Sequence, residues 1–560
     1  MTTHPASTST GLPAGRSAHA AADAELLSHA RHLNRRRFLT VTGAAAALAF
    51  STNLPAPTAT AAPARETRLA AEPFTLGVAS GDPLPDSVVL WTRLAPEPYE
   101  AGSGLSGKPV NVAWELARDR GFRRTVRSGE ATAHPEYHWA VHVEPDGLEP
   151  ATDYYYRFST GSWTSPVGHT RTAPGPDADP GSLRFGVVSC QRYDQGYWTA
   201  FRHLAEEDLD AVLHLGDYLY EYPVDAKGGA RNYTDRRIPP VYNRETVTLE
   251  DYRLRYSLYR TDPDLQAAHA AHAWIVTWDD HETDNNYAGG VPEKPENNVP
   301  PEEFLVRRAA AYRAYWENMP LRRPQRPEGA ELLLYRRLRY GRLAQLDVLD
   351  TRQYRDDQAN GDGWKVPNEQ SEDPGRTITG AGQERWLLDG WRGSGAVWNL
   401  VPQQTVFSRR RDRVQGPFPL SMDAWDGYPA SRERVLAGAE AAGVDNLVVL
   451  TGDVHVHYAF DIHRDFDDTA APPVGVELVT TSISSGGDGV RRPDNWEALM
   501  AANPHLHYFD GRRGYLLLTL TADRLRADYR TLERITAPGG AISTAASFES
   551  AAGAPGLKAL

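Results

Sequence analysis

Four apolar runs in this chain each break off at side chains able to bind cations. Leu183 to Val188 ends at Ser189-Cys190-Gln191-Arg192, and Ala211 to Leu215 ends at Gly216-Asp217-Tyr218-Leu219-Tyr220. Trp274 to Trp278 ends at Asp279-Asp280-His281-Glu282, and Asn446 to Leu450 ends at Thr451-Gly452-Asp453-Val454-His455-Val456-His457. One Asp-Gly or histidine pair is usually a turn or a cap, but four such ends together are a stronger signal. Carboxylates and a thiolate brought together repel unless cations sit between them. Thiolate and phenolate are strongly donating anionic ligands that suit trivalent iron better than magnesium. Cys190, Asp217 and Tyr220 therefore make a candidate iron pocket, to which His455 adds a nitrogen. Asp217, beside a glycine on a tight turn, can bridge to a second cation. Asp280, Asn286 and Asp453 are hard oxygen donors suited to calcium. Taken alone, the donors specify two or more cations.

A cluster of this kind polarises phosphate oxygens and generates a hydroxide or oxide nucleophile. His281 is the candidate general acid for a leaving alkoxide; its alternatives are a further metal ligand or a structural histidine. Arg192, Arg352 and Arg355 could grip phosphate oxygens through their planar forks, against the commoner alternative of an ion-paired structural arginine. His457 is expected to flank the site, and His269 and His272 to pack or cap. The stretch Ser484-Ser485-Gly486-Gly487-Asp488-Gly489 lacks the lysine and helix of a nucleotide loop and reads as a mobile surface loop. Cys190 is the single cysteine, so no internal disulfide can form, and an inert buried thiol is its alternative role.

Ligands at strand ends need a sheet whose carboxyl edges converge. From Leu183 to about Arg534, apolar strands alternate with helical patterns, which predicts a mixed α/β domain over 183–534. Within it, Phe304, Leu305, Ala309, Tyr312 and Trp316 recur at helical spacing over Glu302 to Glu317. Residues 65–172 carry short alternating runs between turn clusters, the pattern of a small antiparallel sandwich. A Pro-, Gly- and Asp-rich linker is expected over 173–182, and 535–560 read as a tail with little to bury.

The first 64 residues have the order of an export signal: Asn34-Arg35-Arg36-Arg37-Phe38-Leu39-Thr40, an apolar run from Val41 to Phe50, and small residues around Ala61 to Ala64 where cleavage is expected. This twin-arginine pattern implies passage through the twin-arginine translocase and a secreted, extracellular protein. No later stretch reaches the length of a membrane span. Of 560 residues, 60 are basic and 73 acidic, a net charge of −13, which gives no basic field for a nucleic-acid scaffold. Of the 60 basic residues only five are lysine (Lys108, Lys227, Lys294, Lys365 and Lys558).

The order of the four clusters resembles the calcineurin-like metallophosphoesterases, with departures at Cys190, Tyr220, Asp280 and Asp453. That set of departures resembles the alkaline phosphatase D family, including its phospholipase D-like branch. Further stretches agree, among them Phe74 to Pro83, Asp350-Thr351-Arg352-Gln353-Tyr354-Arg355, Asp423 to Pro429 and Asn503-Pro504-His505. The resemblance covers about residues 72–530. It implies a four-layer α/β/β/α domain behind a fibronectin type III-like β-sandwich, one Fe(III) with Ca2+ as cofactors, and a phosphate-ester substrate for a monomeric enzyme. The implied activity is hydrolysis of phosphomonoesters or phosphodiesters, with phospholipid head groups as the alternative. A noncatalytic calcium-binding surface protein is the distant alternative; it gains nothing from Cys190, Tyr220 or His281.

Overall fold

The computed structural model describes residues 69–224, 231, 238–294, 300–413 and 416–560. The expected leader over 1–64 lies outside the described residues. Among the described residues a ten-stranded and a seven-stranded sheet dominate. Each is built on a parallel centre: Leu183–Val188, Ala211–His214, Ala273–Val276 and Val78–Gly81 in the larger sheet, and Ala344–Val348, Trp398–Pro402, Leu447–Thr451 and Gly475–Val479 in the smaller.

Near-continuous apolar runs are what a strand buried on both faces requires, and alternation sorts the two faces. Phe185, Val187, Leu213 and Ile275 point to the seven-stranded sheet and share a core with Leu346, Leu400, Val448 and Leu450. Their neighbours Val188, Val212, Trp274 and Val276 point the other way, against helices Thr199–Ala205, Leu249–Arg260, Pro263–Ala271 and Pro301–Asn318. On the far side of the smaller sheet, Leu447 and Val449 pack with Leu387, Trp391, Val435 and Leu436 of helices Gly380–Arg392 and Pro429–Ala441. The layer order is therefore helix, sheet, sheet, helix. In the helix expected over 302–317, Phe304, Tyr312 and Trp316 are buried, while Leu305 is exposed.

Two parts of the chain differ from the sequence reading. Among the described residues, 69–172 do not close into a free-standing sandwich. Val78–Gly81, Val89–Arg93 and Ala140–Val143 complete the ten-stranded sheet, and the remaining strands form a separate five-stranded sheet that shares one core with them. Arg93, fully buried, donates to Asn318 Oδ1 at 2.8 Å, and Trp91 Nε1 donates to the Glu317 carbonyl at 3.0 Å. The large domain thus supplies the partners that let these polar groups be buried. The expected tail is also ordered. Ile542–Ala551 and Ala554–Ala559 pair as the outer strands of the ten-stranded sheet, burying Phe548 and Leu557 among the intersheet side chains. Sparse apolar residues suffice for a strand that covers the sheet on one face only.

Candidate metal centre

At the carboxyl ends of the parallel strands the two sheets are stitched together. Gln404 Nε2 donates to Thr277 Oγ1 at 2.9 Å and to the carbonyls of Trp278 and Leu349 at 2.7 and 3.0 Å. Ser189 bridges Ser482 in parallel register. Gly216, at φ 108°, lets two strand ends close up, since a Cβ there would lie 2.4 Å from the Asp279 nitrogen. Cys190 and Gln191 then donate their N–H groups to the carbonyls of Gly216 and Asp217, each at 3.0 Å.

This edge brings five of the seven expected ligands together, with Asp279 and His281, in three overlapping groups, in each of which one ligand atom per residue lies within 4.8 Å of the others: Cys190, Asp217 and His455; Asp217, Asp280 and His281; and Asp279, Asp280 and Asp453. Five of the seven expected ligands, Cys190, Asp217, Asn286, Asp453 and His455, adopt positive φ. Such backbone is uncommon outside glycine and collects at functional sites. Tyr220 OH donates to Asp217 Oδ2 at 2.7 Å and lies 2.9 Å from His455 Nε2. Asn286 is set against Asp280 by its backbone N–H, 2.6 Å from Oδ2, while its side-chain amide donates to Asp362.

The donors fit cations. Asp217 Oδ1, Asp279 Oδ2 and Asp280 Oδ1 are buried without a hydrogen-bond partner, an arrangement that native interiors avoid. Burial, with Asp217 next in effect, holds both the Cys190 thiol and the Tyr220 phenol well above their ordinary ranges. Burial pushes Asp453 up to about 8 in spite of Arg352. Burial would also raise Asp217, but His281 and His455 hold its carboxyl at about 2.

His281 joins Asp217 and Asp280 and is itself held by Glu221, whose Oε2 lies 2.7 Å from Nδ1. Burial disfavours its charge, but the carboxylates of Glu221, Asp217 and Asp280 outweigh burial and keep the imidazole well above its usual range. The three arginines separate. Arg352 is fully buried: Nη1 donates to both oxygens of Asp423 at 2.9 and 2.8 Å, and Nε donates to Asp279. Its Nη2 faces Asp280 and Asp453 at 3.4 and 3.7 Å. Arg355 is committed to Asp423 as well. For these two the ion-paired alternative describes the geometry, because each guanidinium is buried against the Asp423 carboxylate. Arg192 is partly exposed, its guanidinium 5.8 Å from the Tyr220 ring and its Nε on Asp194.

His457 accepts the Thr481 N–H at 3.1 Å and packs on Tyr529. His269 stacks on Trp274 and His272 lies 3.0 Å from the Leu204 carbonyl, both as expected for packing residues. The stretch Ser484 to Gly489 is not a free surface loop. Ser485 Oγ lies 2.7 Å from Tyr220 OH and 3.0 Å from the Cys190 carbonyl, and Asp488 accepts the N–H groups of Ile535 and Thr536. Sequence reasoning also passed over Asp279, Glu221, Glu282 and Asp423 as site residues. Asp279 and Glu282 stand in the same quartet as Asp280, and Glu221 follows Tyr220, so charge beside a buried-strand end was a usable signal. Ser485 carried none.

Residues 185–529 match the family described as PhoD-like phosphatase, and residues 59–174 match its N-terminal domain. Alkaline phosphatase D of Bacillus subtilis (strain 168) is 50% identical over 480 residues, 85% of this chain and 80% of that protein. A solved structure of PhoD aligns with TM-score 0.84 and 48% identity, covering 88% of this chain and 93% of that one.

Proposed function

This chain belongs to the PhoD-like phosphatase family and is a hydrolase of phosphoric esters, and we propose that it works with cations held in two adjoining ligand sets. Cys190, Asp217, Tyr220 and His455 would hold Fe(III). Asp280, Asn286 and Asp453, with Asp279 beside them, would hold Ca2+, and Asp217 stands between the two sets. When bound, the cations supply positive charge against the phosphate oxygens and make an attacking water acidic enough to react. The observation that carries this reading is the run of buried carboxylate oxygens on Asp217, Asp279 and Asp280 that accept no hydrogen bond.

The chain's own groups do the rest. Glu221 fixes His281 through Nδ1 and favours its protonated form, which leaves Nε2 to deliver a proton to the departing alkoxide. Arg192, the one partly exposed arginine of the three, is placed to take a nonbridging phosphate oxygen. A second reading, His281 as a metal ligand, is favoured by its grouping with Asp217 and Asp280. The substrates proposed are phosphomonoesters and phosphodiesters, with phospholipid head groups as the alternative, and the site of action is outside the cell after twin-arginine export. Among the described residues no helix is long and apolar enough to cross a membrane.

The test strips metal with a chelator and restores Fe(III) and Ca2+ singly and together. p-Nitrophenyl phosphate, bis-p-nitrophenyl phosphate and a phosphatidylcholine are assayed side by side. Activity should return only with both ions. Full activity in protein carrying zinc alone would reject the assignment.

A further inference from the structure

The geometry points to Glu282 as the positioning residue that fixes the two ligand sets relative to each other, a role that rests on the metal reading above. Glu282 is 1% exposed, and its side chain is directed at backbone rather than at a cation. Oε2 accepts the N–H of Asp217 at 3.0 Å and the N–H of Asp279 at 2.9 Å, and Oε1 accepts the N–H of Tyr218 at 2.6 Å. One carboxylate therefore ties the end of the strand Ala211–His214, which presents Asp217, to the end of Ala273–Val276, which presents Asp279 and Asp280.

Only an acceptor with two oxygens can do this. Three backbone donors converge on it, and a glutamine would turn an NH2 toward at least one of them and leave that N–H buried and unpaired. The strand ends also need an external tie. Asp217 has positive φ, and Gly216 lets the neighbouring loop approach within contact of Asp279, so neither turn is fixed by ladder hydrogen bonds alone. Because the same oxygen holds Asp217 and Asp279, loosening it should disturb both ligand sets at once. Outer partners of metal ligands typically contribute about 10–100-fold in metal affinity.

The experiment uses metal-stripped full chain at a temperature where every variant is folded. It is titrated with Ca2+ by calorimetry and, separately, with Fe(III) citrate followed by elemental analysis. Glu282→Gln should weaken both titrations by about 10–100-fold. Glu317→Gln removes an equally buried glutamate, ion-paired to Arg253 and Arg313 away from the site. It should lower the thermal midpoint and leave both affinities unchanged. If Glu282→Gln does not accumulate as folded protein, Glu282→Asp, which keeps the charge but withdraws both oxygens by a methylene, should show the same double loss. Unchanged affinities in a folded Glu282 variant, a loss confined to one ion, or an equal loss in Glu317→Gln would overturn the assignment. If the unsubstituted protein took up neither ion, the metal reading would fail instead.

Discussion

Around Cys190 and Tyr220 a thiol and a phenol that burial keeps neutral stand against the Asp217 carboxylate, whereas around Asp279 and Asp453 the site is organised by a buried arginine. On the first side Tyr220 joins Asp217, His455 and Ser485 within 2.9 Å, and both thiol and phenol stay protonated until a cation displaces their protons. On the second side Arg352 stands among Asp279, Asp280, Asp423 and Asp453, so the protein supplies part of the positive charge itself. The difference teaches that the two sides respond differently to metal. The first gains its thiolate and phenolate only on loading, with Asp217 already ionised, while the second holds a fixed guanidinium charge among its carboxyls before any cation arrives.

Asp217 belongs to both sides, so its loss should be the most damaging. Asp217→Asn is expected to lose both metal and turnover on every substrate, beyond the roughly 10–100-fold that outer-shell changes produce. Elemental analysis beside a rate assay checks it, and retention of both ions would show that the sides are not joined through this carboxylate. His281→Ala sharpens the comparison by separating proton delivery from ligation. As a general acid it should lose about 10²–10⁴-fold with poor leaving groups and much less with p-nitrophenol, metal being kept. Equal loss along a leaving-group series, with loss of metal, would make His281 a ligand.

Arg352→Met tests the second side alone. It leaves Asp279 buried without its cationic partner and Asp423 with Arg355 alone, a change that should cost about 3–5 kcal/mol in metal-free protein. Denaturant unfolding with and without Ca2+ should show a smaller cost once the ion is bound. An identical cost in both states would mean that Arg352 and the cation do not share the same carboxylates. The smallest effect is expected for Tyr220→Phe on the first side. Iron should remain on Cys190, Asp217 and His455, turnover should fall about tenfold, and the visible charge-transfer absorption should shift or vanish. An unchanged spectrum in iron-loaded protein would place the phenol outside the iron's reach.

The four strand-end clusters were legible because each depends on local pattern: an apolar run long enough to cross a buried sheet, then polar residues where the strand stops. Leu183–Val188 is the strand that its composition predicts, to the residue, and Cys190, Asp217 and Asp280 follow their strands as expected. What could not be read is partnership. Arg352 and Arg355 look the same in sequence whether they meet phosphate or Asp423; only the folding of the distant segment that carries Asp423 onto them decides it.

The sequence by itself determined which residues end up at the carboxyl edge, because strand period and strand length are short-range properties. Tertiary structure decided the rest. Strand order put Glu282 under both Asp217 and Asp279. A parallel bridge between sheets brought Ser485 onto Tyr220. Edge pairing gave Ile542–Ala551 and Ala554–Ala559 a surface to cover, and drew three strands from the first 143 residues into the ten-stranded sheet. Apart from the short reach from Glu282 to Asp279 and the hairpin over 542–559, these contacts join residues tens to hundreds of positions apart. Buried polar groups in them are tolerated only because particular distant partners satisfy them, which no local periodicity encodes.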